Sequence, residues 1–295
     1  MKRVSFTRAR RKILIVVAVL CLLSFTFAQQ PQQRTFSSPD TASAALVSAV
    51  EKNDEAATLE ILGSDAKQIV SSGDAAEDAS SRATFVQRYR EMHRFATEPD
   101  GSVVLYIGAH NWPTPIPLVN KGGSWYFDTD AGKREILFRR IGRNELSAIQ
   151  VCEELVAAQK EYSAQHDGYA QKIVSDDGQH NGLYWKTANG EPQSPIGPLL
   201  AAAFEGQTQA PAPYRGYYFR LLPQQGKKNF VVIAYPAEYR SSGVMTFAVR
   251  DDGAVYQKDL GKRTEAAVKQ VKEFSPARGW SKAETVQEEA ADHQH

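Results

Sequence analysis

The clearest alternation of apolar and polar positions lies in residues 143–170. At 100° per residue, the apolar side chains fall on one face of a helix and the glutamates on the other. The apolar face comprises Ala148, Ile149, Val151, Cys152, Leu155, Val156, Ala158 and Tyr162. Asn144 has a side chain typical of an N-cap, and His166, Asp167 and Gly168 are typical of a helix end. The pattern therefore predicts a long amphipathic helix that begins at Asn144.

The residues before this helix predict a first domain, 38–142, in which helices precede strands. Helical spacing of apolar residues is found at 39–50, 55–62 and 82–95. The small polar residues of 71–81 predict a loop. Strand-like segments follow at 103–108, 116–119 and 124–127. Since residues 120–123 form a glycine-rich hairpin signal, we predict an α+β domain with a curved antiparallel sheet, similar to NTF2-like or cystatin-like rolls.

The residues after the start of the long helix predict a second domain, 143–280. A glycine-punctuated loop and a short helix at 199–204 precede the strands. Four strand-like runs follow, at 217–222, 230–235, 244–250 and 254–258. Residues 251–253 form a further hairpin signal. This order predicts a long helix packed on a four-stranded antiparallel meander, followed by a disordered tail at 281–295.

The first 28 residues have the features of a bacterial secretory signal peptide. A basic start is followed by an apolar run at 13–23, and Thr26, Phe27 and Ala28 form a cleavage sequence. The run is shorter than the roughly 18 residues of a spanning helix, although retention of the leader as an anchor stays an alternative. Residues 29–37, rich in Gln, Pro and Ser, are expected to form a flexible lead-in.

The leader also changes the meaning of the net charge, which is +1 for the whole chain. Without the basic residues of the leader, 29 basic residues face 34 acidic ones, which gives a net charge of −5. This acidic balance argues against nucleic-acid binding. With 42% hydrophobic residues the chain can form a packed core. We therefore expect a periplasmic or extracellular protein without a stable membrane span after cleavage.

Histidines are the candidate residues for chemistry. His93 and His110, with Trp112, could line a pocket in the first domain, but neither histidine has an identifiable carboxylate or nucleophile partner. His166 and His180 bracket three aspartates, residue types that zinc accepts, yet their spacing matches no compact ligand motif. We predict no catalytic residue, no metal site and no cofactor. Cys152, on the apolar helix face, is expected to be a buried hydrophobe.

The aromatic and arginine residues of the last strands form the candidate binding surface. They are Tyr217, Tyr218, Arg220, Tyr235 and Tyr239. Tyrosine and arginine are typical of recognition surfaces, although strand alternation along 217–222 would bury half of the side chains there. The expected partner is a protein, a glycan or a small ligand in the cell envelope.

Two family resemblances follow from particular residues. Residues 144–146, 158–159 and 162, closing with 167–170, resemble the helix and loop of type IV pilin and pseudopilin globular domains. Nearly the whole mature chain resembles the uncharacterised secreted bacterial family known as domain of unknown function 2950. The residues that carry this second resemblance are 42–63, 122–128, 143–145, 216–220 and 234–239. It implies an architecture and no activity.

The sequence therefore favours a non-catalytic binding or envelope-associated module. A hydrolase or ligand-processing enzyme with a pocket in the first domain stays an alternative. A second alternative is pilin-like self-assembly, although the leader lacks the glycine and apolar start of a prepilin-peptidase site.

Overall fold

A computed structural model describes residues 33–71, 73–187, 192–204, 211–222 and 228–283. The predicted signal peptide and most of the predicted tail lie outside these ranges. The chain divides into two compact units, Met1–Lys133 (unit 1) and Arg134–His295 (unit 2). Each unit contains helices and an antiparallel sheet, which confirms the predicted α+β class. Within the described ranges, no helix is long and apolar enough to cross a membrane.

Unit 1 begins with four helices. They are α1 (Pro39–Glu51), α2 (Glu55–Leu62), α3 (Lys67–Val70) and α4 (Ala75–Glu91). A side-chain oxygen of Ser38, Asp54 or Asp74 accepts a backbone N–H at the start of α1, α2 or α4, respectively. The predicted loop at 71–81 is therefore wrong from Ala75 onward, because Asp74 caps a run of small residues that are compatible with a helix.

The sheet of unit 1 contains five strands. They are β1 (His93–Thr97), β2 (Val103–Ile107), β3 (Trp112–Pro113), β4 (Leu118–Lys121) and β5 (Ser124–Phe127). The order is β1-β2-β4-β5, and β3 also pairs with β2. The predicted helix at 82–95 is wrong at its end, because His93–Thr97 pairs with β2 along its whole length. This non-local pairing outweighs the local helical spacing.

The connection between β4 and β5 is the predicted glycine hairpin. Gly122 and Gly123 have φ values of 61° and 85°, which the two-residue turn requires and other residues rarely adopt. The Asn120 Oδ1 atom accepts the Gly123 N–H at 3.0 Å. This part of the prediction is confirmed.

The predicted flexible lead-in, 29–37, is wrong from Gln33 onward. Phe36 is buried, and it exchanges two backbone hydrogen bonds with Trp125, both 2.8 Å long. These contacts hold the segment against β5. Residues 29–32 lie outside the described ranges.

The long helix α5 (Thr129–Gln165) carries the predicted apolar face. All eight side chains of that face are buried, as predicted. The helix starts earlier than predicted, because Asp128 Oδ1 caps it by accepting the Ala131 N–H at 2.9 Å. Asn144 is therefore an interior residue and not an N-cap. The division between the units, after Lys133, falls inside this helix.

Unit 2 contains a five-stranded antiparallel sheet. Its elements are α6 (Pro198–Ala202), β6 (Tyr217–Leu222), β7 (Val231–Pro236), β8 (Met245–Arg250), β9 (Val255–Asp259), α7 (Thr264–Gln270) and β10 (Ser281–Lys282). The order β10-β9-β8-β7-β6 contains the predicted four-stranded meander and adds β10. The tail prediction is wrong at its start, because Ala283 is buried and donates its N–H to the Val255 oxygen at 2.9 Å.

Both faces of this sheet contribute to hydrophobic clusters. One face packs with α5 and includes Phe219, Val232 and Phe247. The other face includes Ile233 and Ala248 and packs with Val268 of α7. The meander is therefore an interior layer of unit 2.

The loop before β8 is held by two side chains of α5. Glu145 Oε1 accepts the N–H groups of Val244 and Met245 at 2.8 and 3.0 Å. Asn144 Nδ2 donates to the Ser242 oxygen at 2.8 Å. These hydrogen bonds give a structural role to residues that carry the family resemblance.

Two glycines allow the chain to approach these groups closely. A Cβ atom on Gly216 would lie 2.6 Å from Asn144 Nδ2, and one on Gly243 would lie 2.2 Å from Tyr217 Oη. The Tyr217 hydroxyl donates to the Met245 oxygen at 2.9 Å. A larger residue at Gly243 would therefore displace a buried, hydrogen-bonded tyrosine.

Gln159 fixes the segment after α5. Its amide donates to the Ala170 oxygen at 3.0 Å and accepts the Ala170 N–H at 2.9 Å. Gln159 is completely buried, so this reciprocal pair satisfies a polar side chain that would otherwise be costly to bury.

Candidate ligand-binding cavity

Unit 1 contains a cavity of about 600 Å³ between its helices and its sheet. This volume lies within the range of about 300–1,000 Å³ that is usual for small-molecule sites. The helices contribute Leu46, Val50, Leu62, Ile69, Val70 and Phe85 to its wall. The sheet side contributes Leu105, Trp112, Ile116 and Phe127. The interior is therefore mainly apolar.

The composition of α4 explains why space remains here. Among the side chains of this helix, only Val86 is buried. Asp78, Arg82 and Phe85 are spaced by four and three positions, which places them on one helix face, and all three line the cavity. A helix that presents this mixed face cannot close-pack against the sheet as an apolar helix would.

Side chains distant in sequence hold the wall in place. Gln33 Nε2 donates to the Ile61 oxygen at 3.0 Å and to the Phe127 oxygen at 2.8 Å. Thr129 Oγ1 donates to the Leu62 oxygen. The end of α2, whose carbonyls have no partner within the helix, is thereby joined to the end of β5.

The start of α5 approaches the same wall. A Cβ atom on Gly132 would lie 2.6 Å from Ile116 Cγ1, and Ile116 is a cavity residue. The absence of a side chain at Gly132 thus sets the position of Ile116.

The charged part of the lining is mainly acidic. Its charged residues are Glu55, Glu77, Asp78 and Arg82, three carboxylates and one guanidinium. Arg82 Nε donates to Asn53 Oδ1 at 2.9 Å, and Ser71 Oγ donates to Asp78 Oδ2 at 2.9 Å. We call these four charged side chains the acidic rim; three acidic residues and one basic residue give it a formal net charge of −2.

Thr114 adds a buried hydroxyl to the cavity wall. The residue is 9% exposed, and its Oγ1 has no hydrogen-bond partner among the described residues. Its backbone N–H is satisfied by the Leu105 oxygen at 2.8 Å. An unpaired buried hydroxyl costs about 1–3 kcal/mol, so this wall is not optimised for stability alone.

The predicted pocket residues are not brought together. Trp112, 39% exposed, lines the cavity, whereas His93 and His110 are exposed and do not belong to its lining. His93 stacks on Tyr89 with ring centroids 3.9 Å apart. His110 lies in the turn between β2 and β3. The structure thus places both histidines outside this site.

The described histidines of unit 2 stack on different aromatic rings. His166 stacks on Tyr162 with centroids 3.9 Å apart, and its Nδ1 lies 2.9 Å from the Tyr162 oxygen. His180 stacks on Trp185 with centroids 4.3 Å apart. Across the described ranges, no group of three or more His, Cys, Asp or Glu side chains could hold a metal ion.

The candidate aromatic surface is largely part of the core. Tyr217 and Tyr235 are buried, and burial raises the pKa of Tyr217 well above its usual range. Tyr218 is half-buried with its ring 6.0 Å from that of Tyr235. Arg220 donates to the Val268 oxygen at the end of α7, and Tyr239 donates to Asp259 Oδ2 at 3.1 Å. These contacts support structural roles for the five residues.

The fold and the cavity define an α+β protein of two units with a small-molecule-sized space in the first. A family model described as "Protein of unknown function (DUF2950)" matches residues 33–283, most of the chain. The protein therefore belongs to this family, and the predicted resemblance is confirmed. Neither a curated protein nor a solved structure matches the chain. The NTF2-like, cystatin-like and pilin-like assignments stay predictions.

The acidic rim and Thr114 are not among the site residues predicted from the sequence. Two of the four rim residues, Glu77 and Asp78, lie in the segment predicted to be a loop. Asp74 followed by Asp78, Arg82 and Phe85 at helical spacing is nevertheless a signal for a capped, amphipathic helix. No comparable local signal marks Thr114, because the absence of a partner depends on the whole fold.

Proposed function

We propose that the protein is an exported, non-catalytic binding protein that holds a small, mainly apolar ligand in the cavity of unit 1. The observation that carries this proposal is the cavity itself, about 600 Å³ in volume, with an apolar interior and a polar rim. This combination is typical of small-molecule sites, in which apolar walls provide affinity and a few polar groups fix orientation.

The chemistry of the lining supports binding without catalysis. The described lining residues include no histidine, the most frequent general base, and neither of the common nucleophiles cysteine and lysine. Ser71 donates a hydrogen bond directly to Asp78, and the described lining contains no histidine that could link the two residues in a catalytic triad.

The leader supports the proposed location. A signal peptide ending at Ala28 would deliver the mature, acidic chain to the periplasm or the exterior. The ligand would then be a small molecule of the cell envelope or its surroundings.

Fluorescence of N-phenyl-1-naphthylamine, a neutral apolar probe, tests the proposal on the full chain. Val70 lies half-buried in the cavity wall, so V70W should fill part of the cavity and weaken probe binding by about tenfold or more. V119W is the matched control, because Val119 is also half-buried in unit 1 but does not line the cavity.

Probe binding that V70W weakens and V119W leaves unchanged is the expected result. The proposal is overturned if the wild-type protein does not bind the probe, or if both variants bind it as tightly as the wild type does. Circular dichroism of each variant shows whether it is folded, and I69W offers a second blocking position on α3.

A further inference from the structure

We infer that the cavity selects a cationic amphiphile, an apolar body that carries a protonated amine. This inference rests on the proposed function, because it identifies the ligand class of the same cavity.

The charges of the acidic rim come from two helices. Glu55 lies in the first turn of α2, whereas Glu77 and Asp78 lie in the first turn of α4. The N-caps of the same two helices, Asp54 and Asp74, add two more carboxylates nearby. These caps occupy the N–H groups that could otherwise have attracted an anion to the helix ends.

Arg82 does not reverse this balance. The Arg82 Nε–H group already donates a hydrogen bond to Asn53 Oδ1, and Asp78 lies one helical turn earlier on the same face. A carboxylate or sulfate ligand would therefore meet one guanidinium that has other neighbours and three carboxylates that repel it. Because like charges placed together reduce affinity, the acidic rim disfavours an anionic ligand.

The aromatic lining suits a cation as well. Phe85 and Trp112 both line the cavity, and the face of an aromatic ring attracts an ammonium group. The apolar wall would hold the body of the ligand, while the acidic rim and these rings would hold its amine.

The test uses three ligands of equal chain length, added to the full chain below their critical micelle concentrations. Decylamine is cationic at pH 7, decanol is neutral and decanoate is anionic, as the pKa values of lysine and glutamate indicate. Each ligand competes with N-phenyl-1-naphthylamine. We expect decylamine to displace the probe at a concentration about tenfold or more below that of decanoate, with decanol between them.

Charge-removing variants assign this preference to the rim. E55Q/E77Q should reduce the difference between decylamine and decanoate several-fold. E60Q/E91Q is the matched control. Glu60 and Glu91 are exposed carboxylates on the same two helices, and neither residue lines the cavity. Added salt should reduce the preference in the wild type, because these rim charges are partly screened.

Each failure has its own meaning. If decanoate displaces the probe as well as decylamine does, the charge inference is overturned while the proposed function stands. The same holds if E55Q/E77Q keeps the wild-type difference. If the probe does not bind at all, the proposed function fails and this inference fails with it.

Discussion

The described parts of the two units show different packing features. In unit 2, close approaches at Gly216 and Gly243 and the hydrogen bonds of Glu145 and Gln159 join α5 to the loops around it. In unit 1, α4 leaves a cavity of about 600 Å³ above the sheet. Among the residues that carry the family resemblance, those of unit 2 thus stabilise the fold. The candidate site lies where packing is incomplete, which is typical of ligand sites because they must leave room.

Alanine substitution of one glycine in each unit should give the largest difference in the free energy of unfolding. G243A forces a Cβ atom to within 2.2 Å of Tyr217 Oη, and the buried ring cannot move without losing its bond to Met245. We expect a loss of about 3 kcal/mol or more in the free energy of unfolding. G132A creates a 2.6 Å approach to Ile116, which can shift into the cavity, so the loss should be about 1 kcal/mol.

Urea denaturation followed by circular dichroism measures both losses. G142A is the control, because nothing lies within 4 Å of its added Cβ and alanine is the better helix former. Equal losses for G243A and G132A would contradict the proposed difference in packing.

Valine substitution of two threonines in the cavity wall should change the free energy of unfolding in opposite directions. T114V removes a buried hydroxyl without a described partner, so it should raise the free energy of unfolding by about 1 kcal/mol. T58V removes a hydroxyl that donates to the Asp54 oxygen at 2.8 Å and should lower it by about 1 kcal/mol. Thermal unfolding of both variants without ligand is the measurement.

A loss of stability in T114V would show that its hydroxyl is satisfied within the protein. The pair is matched, since both residues are threonines less than one tenth exposed in the same wall. A gain in stability together with weaker ligand binding would indicate a residue retained for function.

The smallest expected effect concerns Cys152. Burial raises the pKa of its thiol from 9.0 to about 12, so almost no thiolate exists at pH 8. In a C21S chain, we expect no reaction with a disulfide reagent at pH 8 until the protein is unfolded. Rapid modification of the native protein would contradict the packing of unit 2.

The same pKa shift has a consequence for stability. Because the folded pKa is raised, the contribution of the neutral thiol is complete below about pH 9 and is lost as the pH rises towards 12. C152A should show a smaller loss of stability over this interval than the wild type does.

Elements with strong local sequence patterns are predicted correctly, whereas elements that depend on contacts between distant residues are not. The apolar face of α5, the hairpin at Gly122 and Gly123, and strands β6–β9 follow from periodicity and turn residues. Strand β1 was missed, because its pairing with β2 is a contact that no local pattern displays. The start of α5 was placed at Asn144 for a related reason, since asparagine resembles an N-cap wherever it occurs.

The candidate site was predictable only in part. Trp112 lines the cavity, but His93 and His110, the two histidines considered together with it, are exposed and do not line it. Spacing along a chain does not determine which side chains face a common space, because several elements must first be assembled.

The sequence by itself determined the α+β class, the long amphipathic helix, the antiparallel strands and the membership of the family. These properties depend on periodicity, turn chemistry and extended similarity, which are all written along the chain. The tertiary structure alone decided where the cavity lies, that its rim is acidic, and that the Thr114 hydroxyl has no hydrogen-bond partner within the described ranges. Those properties arise from the packing of distant elements, and the free space between them is a property of no single segment.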